Sequence, residues 1–176
     1  MKLSQLKRLP PRWRARAMRT GFNLHPAFRS TGGRVDYVSH DLLHVRVRLP
    51  LTRRTRNIVG SIFGGSLFAV TDGVHVGMLM ARLDRDAIIW DKAAEIRYRK
   101  PAFRTLYADF VLTEAELQGI REELDRKHEV ERVYQVDLKD ADGTVHTEVR
   151  RTIYLADKAY YKQRKPRPDA AGEASS

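Results

Sequence analysis

Residues 57–72 read NIVGSIFGGSLFAVTD. Two adjacent glycines, Gly64 and Gly65, stand in front of an apolar stretch, and the stretch reaches a lone carboxylate at Asp72. Beyond it, Leu67, Phe68, Val70, Val74, Met78 and Leu79 place apolar side chains nearly all round a helical wheel. That pattern predicts one long, buried helix over residues 65–83, because a helix apolar on every face has no side to offer water. Asp72 is then expected inside it, about two turns from the glycines.

The segments on either side read as strands. Leu43, Val45, Val47 and Leu49 alternate with His44, Arg46 and Arg48, the period of a half-buried strand. Residues 88–98 and 106–112 read as strands separated by Lys100-Pro101-Ala102. Thr113 with Glu116 is a capping-box pattern, and Leu117, Ile120 and Leu124 continue it at helical spacing, predicting an amphipathic, highly charged outer helix. Tyr134, Val136 and Leu138 alternate again, and Asp142-Gly143 signals a hairpin turn into a returning strand over 145–155. Runs of strands around one buried helix predict an α+β fold with a mostly antiparallel sheet.

Length and composition bound the remainder. The 176 residues suffice for one sizeable core, and 42% hydrophobic with 31% charged is an ordinary globular composition. No apolar run approaches the length of a membrane span. With no cysteine, disulfides, thiolate metal sites and a Cys nucleophile are excluded, and a cytoplasmic setting is the expectation. The net charge of +11 is uneven: no Asp or Glu precedes Asp36, while Arg12, Arg14, Arg16, Arg19, Arg29 and Arg34 do. Residues 1–26 are expected to form a basic leader with one helix, starting near Pro10-Pro11, stopping at Gly21 and packing through Trp13, Ala17 and Phe22. It has no signal-type apolar stretch. A central domain is expected over 27–158, and a basic, then disordered, tail over 159–176. The leader leaves peripheral contact with an anionic membrane open. Nucleic acid is disfavoured, since exposed aromatics are not interleaved with the basic residues and no recognition motif is present.

At these spacings Asn57, Gly60, Gly64, Gly65, Leu67, Phe68 and Asp72 resemble the signature of hotdog-fold acyl-CoA thioesterases of the phenylacetate-pathway type. That signature runs Asn, a short loop, Gly, two residues, His-Gly-Gly, then Asp seven residues after the second Gly. The following stretch IIWDKAAEIRYRKPA, residues 88–102, is similar to an uncharacterised branch of the superfamily, domain of unknown function 4442. One departure stands out: the motif histidine is replaced by Phe63. The resemblance implies a hotdog fold, an antiparallel sheet wrapped around a long central helix. It also implies an acyl thioester, hydrolysed at a site shared across a homodimer or higher homo-oligomer.

The chemistry of the residues agrees. Glycines at a helix mouth let a ligand approach the backbone, and free N–H groups there favour a developing oxyanion. Gly65 N–H would polarise the thioester carbonyl, with Gly64, Phe63 and Ser66 around it. Asp72 would serve as general base toward water or as nucleophile, and Asn57 would fix the loop or the attacking water. Seven residues span roughly 10 Å of helix, so two antiparallel helices around a two-fold axis would bring one subunit's Asp72 beside the other's Gly65. Arg53, Arg54 and Arg56 lead into the motif and are candidates for the phosphates of coenzyme A. His75, three residues after Asp72, could orient that carboxylate or be structural; Asp91 could pair with Lys92 or with a partner subunit. His128 and His146 lack partners at metal-binding spacing, and neither a metal nor another cofactor is expected. The substitution at Phe63 keeps a second reading open, a non-catalytic acyl-CoA-binding or regulatory protein of the same fold.

Overall fold

The computed structural model describes residues 9–164, and the C-terminal part of the expected tail, 165–176, lies outside them, as do residues 1–8. The elements run α1 (Pro11–Leu24), α2 (Pro26–Ser30), β1 (Arg34–Val38), β2 (His44–Leu49), α3 (Gly64–Ala69), α4 (Val74–Arg82), β3 (Ala87–Tyr98), β4 (Leu106–Val111), α5 (Glu114–Lys127), β5 (Glu129–Lys139), β6 (Val145–Asp157) and α6 (Lys158–Arg164). The six strands form one sheet in the order β1-β2-β4-β5-β6-β3, and every neighbouring pair is antiparallel.

Alternation decides which face each strand buries. In β2, Val45, Val47 and Leu49 enter the core, while Arg46 reaches Asp109 on β4 at 2.8 Å and Arg48 reaches Asp36 on β1 at 2.9 Å. From the inner side the sheet meets Leu67 and Val70 of the α3 segment and Val74, Met78 and Leu79 of α4, all buried. Strand β3 forms one edge of the sheet, twelve residues long, with Ala93, Ala94 and Glu95 exposed. Helix α5 behaves as its capping box requires: Thr113 Oγ1 accepts from Glu116 N–H at 3.1 Å, and Leu117, Ile120 and Leu124 are buried beneath a charged outer face.

The long central helix is in fact two helices. α3 ends at Ala69 and α4 starts at Val74, with Gly73 in the left-handed region at φ 72°. Apolar periodicity carries straight through this break, since Val70 and Val74 are both buried, which is why the pattern reads as continuous. The backbone departs from it because Thr71 Oγ1 donates to the Phe68 carbonyl at 2.8 Å, and because Gly73 tolerates a conformation that side-chain-bearing residues resist.

α1 continues past Gly21 to Leu24, where His25 is forced into extended geometry ahead of Pro26. The leader packs through Ala15 and Met18, with Ala17 and Phe22 partly buried, whereas Trp13 is exposed. The short helices α2 and α6 have no counterpart in the sequence reading; α6 seats Tyr161 against Trp90, with ring centroids 6.1 Å apart.

Candidate active site

The loop before α3 is built by Asn57. Its Oδ1 accepts from the N–H groups of Val59 and Ser61, both at 3.1 Å, and its Nδ2 donates to Ser61 Oγ at 2.9 Å. Both ends of the Asn57 amide are therefore engaged within its own turn. Ile62 N–H then donates to the Ala102 carbonyl and Phe63 N–H to the Thr55 carbonyl, at 2.8 and 2.7 Å, which fixes the entry into α3. Thr55, buried, accepts from Thr52 N–H and donates to the Pro50 carbonyl, so Arg53, Arg54 and Arg56 project from a pinned loop rather than a loose one.

Phe63 caps α3 without a side-chain hydrogen bond. The N–H groups of Ser66 and Leu67 return to the Phe63 carbonyl, while those of Gly64 and Gly65, in the first turn, have no acceptor among the described residues. Tyr98 Oη donates to the Gly64 carbonyl at 3.2 Å. A cleft of ≈ 1030 Å³ passes this point. Phe63, Gly65, Ser66, Asp72 and Gly73 line one side of it, and α1 and α2 line the other through Ala17, Met18, Gly21, Phe22 and Phe28. Arg54 also lines the cleft; Arg53, Arg56, Asn57 and Gly64 do not.

Asp72 lies in the break between α3 and α4 and is 64% exposed, not buried within a helix as the apolar pattern implied. Beneath it lies Arg151 of β6, which is 4% exposed. Arg151 donates from Nε to Thr71 Oγ1 and from Nη2 to the Phe68 carbonyl, each at 3.0 Å, and so satisfies the open end of α3. Its Nη1 is 3.6 Å from Asp72 Oδ1 and 3.7 Å from Asp91 Oδ2. Asp91 also accepts from Gly73 N–H at 3.3 Å. It pairs with neither Lys92, which turns to Glu131, nor any other cation than Arg151 among the described residues. Burial and the neighbouring Asp72 carboxyl push Asp91 up to about 6, against the opposing pull of Arg151 and the Gly73 amide.

Arg151 was not legible in the sequence, where it is one of two consecutive arginines in a strand; only its inward register reveals it. His75 does not serve Asp72. It is buried, stacked on Tyr134 with centroids 4.3 Å apart and edge-on to Phe110, and burial followed by the charge of Arg151 lowers it to about 4. His146, also buried, contacts Asp140 and the Pro101 carbonyl, both at 3.1 Å, tying the β5–β6 hairpin to the loop before β4. No cluster of metal-binding side chains exists among the described residues, and no helix there is long and apolar enough to cross a membrane.

The fold is shared with solved structures. A Pseudomonas aeruginosa protein of unknown function described as a probable thioesterase has a TM-score of 0.72 at 22% identity, over 80% of this chain and 94% of that one. A thioesterase from Haemophilus influenzae has a TM-score of 0.58 at 13% identity, over 78% and 87%. The PaaI protein of the E. coli phenylacetic acid degradation operon has a TM-score of 0.54 at 15% identity, over 87% and 95%. At such identities the likeness establishes the hotdog fold alone. No curated protein matches the sequence. The model of one family, the domain of unknown function DUF4442, matches residues 14–155, so the match runs from within α1 nearly to the end of β6. The chain belongs to the DUF4442 family and has the hotdog fold.

Proposed function

We propose that this protein is an acyl-CoA thioesterase. The observation that carries the reading is the cleft: apolar walls from α1 and α4 lead to the Gly65 helix mouth and the exposed Asp72 carboxylate, with Arg54 on the same lining. Its size is that of a site for a drug-sized ligand, and its lining is mainly apolar with a few polar groups, Arg54, Ser66 and Asp72 among them. An acyl chain would occupy the apolar part and place its thioester carbonyl at the free amide of Gly65. Asp72 of one subunit, reaching the Gly65 mouth of the other across a two-fold axis, would remove a proton from the attacking water or attack the carbonyl itself. Asn57 would hold the loop, and Arg54, supported by Arg53 and Arg56, would meet the nucleotide phosphates. Hotdog relatives described as thioesterases support an acyl thioester as the ligand class.

The assembly proposed is a two-fold homodimer. The long β3 edge carries unpaired backbone groups, with Ala93 and Ala94 exposed at its middle, a surface that sheets ordinarily cover. Asp72 is exposed in the single chain, leaving it accessible to a partner's site. Sedimentation at micromolar concentration is expected to give a dimer; a monomer would remove the shared site.

The second reading, an acyl-CoA-binding protein without turnover, is favoured by Phe63, whose ring packs against Gly65. Thiol release measured over a panel of acyl-CoAs separates the two. Hydrolysis of one or more members supports the enzyme, whereas saturable binding without thiol release supports the binding protein.

A further inference from the structure

Three charged groups meet at the α3–α4 break. One guanidinium nitrogen, Arg151 Nη1, lies between two carboxylates, 3.6 Å from Asp72 and 3.7 Å from Asp91. The two carboxylates differ in setting, since Asp72 is 64% exposed and Asp91 is 16% exposed. Of the Asp91 oxygens, Oδ2 accepts from Gly73 N–H and faces Arg151, while Oδ1 is buried and has no hydrogen-bond partner. A buried charged oxygen without a donor is costly. A proton would relieve it, and the neighbouring Asp72 carboxylate would accept the resulting hydrogen bond. Two carboxylates and one guanidinium sum to one negative charge, so a single added proton makes the cluster neutral.

The fold puts Asp91 there deliberately. The β3–β6 register shifts between Asp91 and Ala93, a bulge of the kind that re-aims a side chain. Asp91 stands opposite Ile153, which is wholly buried, and Arg151 shares a strand face with buried Val149 and Ile153 and bonds Phe68 and Thr71, so both charged residues face inward toward α3. Lys92, next in the chain, turns to Glu131 of β5. The charged groups facing Asp91 are thus Asp72 from the helix break and Arg151 from β6.

We propose that Asp72 and Asp91 act as one carboxylate pair seated on Arg151, in which Asp91 is a positioning residue that holds Asp72 toward the cleft and sets the charge beside it. The inference rests on the thioesterase reading for its kinetic consequence, but not for the pair itself. In the reaction, Asp72 takes a proton from water as the water oxygen bonds to the thioester carbonyl carbon. The C–S bond then breaks, and the departing thiolate takes that proton from Asp72. Asp91 neither gains nor loses a proton over the cycle. While ionised, Asp91 places a second negative charge beside the Asp72 carboxylate and the water it faces. When Asp91 takes up its proton, that second charge is gone. The first proton uptake of the cluster therefore falls on Asp91, near its raised value of about 6.

The test uses the full chain with carboxyl-13C-labelled aspartate, titrated by NMR as wild type, Asp91→Asn and Asp72→Asn. The wild type is expected to show a step near 6 that disappears in Asp91→Asn. In Asp72→Asn the Asp91 step should move to lower pH by about one unit, because its like-charged neighbour is gone. An Asp91 step that does not move in Asp72→Asn overturns the pair. The kinetic arm is the pH profile of kcat with an acyl-CoA. Asp91→Asn should shift the acid limb to lower pH and reduce kcat on the neutral plateau about tenfold with KM unchanged. Asp91→Glu should restore part of both. An unchanged limb and kcat in Asp91→Asn would reduce Asp91 to a clamp on the Gly73 amide. If Asp91→Asn does not fold, the Asp72→Asn titration and the Asp91→Glu profile decide. A wild type that hydrolyses no acyl-CoA overturns the thioesterase reading, while the NMR arm still upholds or overturns the pair.

Discussion

The ring of Phe63 packs on the Cα of Gly65. A Cβ at residue 65 would fall 2.2 Å from the Phe63 ring, so the bare backbone and the aromatic side chain fit each other at the mouth of α3. Phe63 is 55% exposed and free to swing outward. Gly65→Val is therefore expected to fold normally, displace the ring into the cleft mouth, and obstruct the Gly65 amide. Thermal melting should change little, whereas acyl-CoA affinity and kcat/KM should both fall, the latter by about 10²–10³-fold if one oxyanion donor is lost. Unchanged kcat/KM would place the carbonyl elsewhere.

Helix α1 is part of the core as well as a wall of the cleft. Met18 is 1% exposed, and the Phe22 ring lies where a Cβ on Gly77 would be 2.8 Å away. Met18→Ala is expected to cost about 2–5 kcal/mol, the usual range for truncating a buried methionine. Urea unfolding measures it. Deletion of residues 1–20 should destabilise further, because it removes both Ala15 and Met18 from the core. A fully stable truncated chain would make α1 dispensable.

His75 gives the fold an acid-sensitive group. Its folded value of about 4 lies below the ordinary 6.5, first because burial disfavours the imidazolium and then because Arg151 repels it. Above the ordinary value both folded and unfolded chains carry it neutral. As pH falls from there, the unfolded chain takes up a proton that the folded chain refuses, so stability is lost until the folded value is reached. Relative to His75→Phe, the wild type should lose roughly 2–3 kcal/mol more between about pH 7 and 4.5 in urea unfolding. Parallel pH dependences would show that His75 is protonated in the fold.

Much of the architecture was legible because burial and period agree. The Val45, Val47, Leu49 alternation, the Thr113–Glu116 cap and the Asp142-Gly143 turn each locate an element from local chemistry alone. The break at Asp72 was not, because Val70 and Val74 keep their helical spacing and burial across it while a left-handed Gly73 redirects the chain. The motif brought Phe63, Gly65, Ser66 and Asp72 onto one cleft, and Arg54 joins them. Arg151, and its pairing with Asp91, escaped notice for a different reason. Their roles depend on strand register and on a bulge between residues 91 and 93, which are long-range features with no local signature.

The central claim is that the exposed Asp72 carboxylate performs the chemistry while Gly65 and the cleft bind the thioester. The most direct measurement compares Asp72→Asn with wild type for acyl-CoA binding and for single-turnover thiol release on the same preparation. Asn keeps the size of the side chain and removes its charge, and Asp72 is exposed, so the fold should persist. The account predicts unchanged affinity with turnover lowered by about 10²–10⁴-fold, the contribution of a general base. Equal turnover in Asp72→Asn and wild type would contradict it.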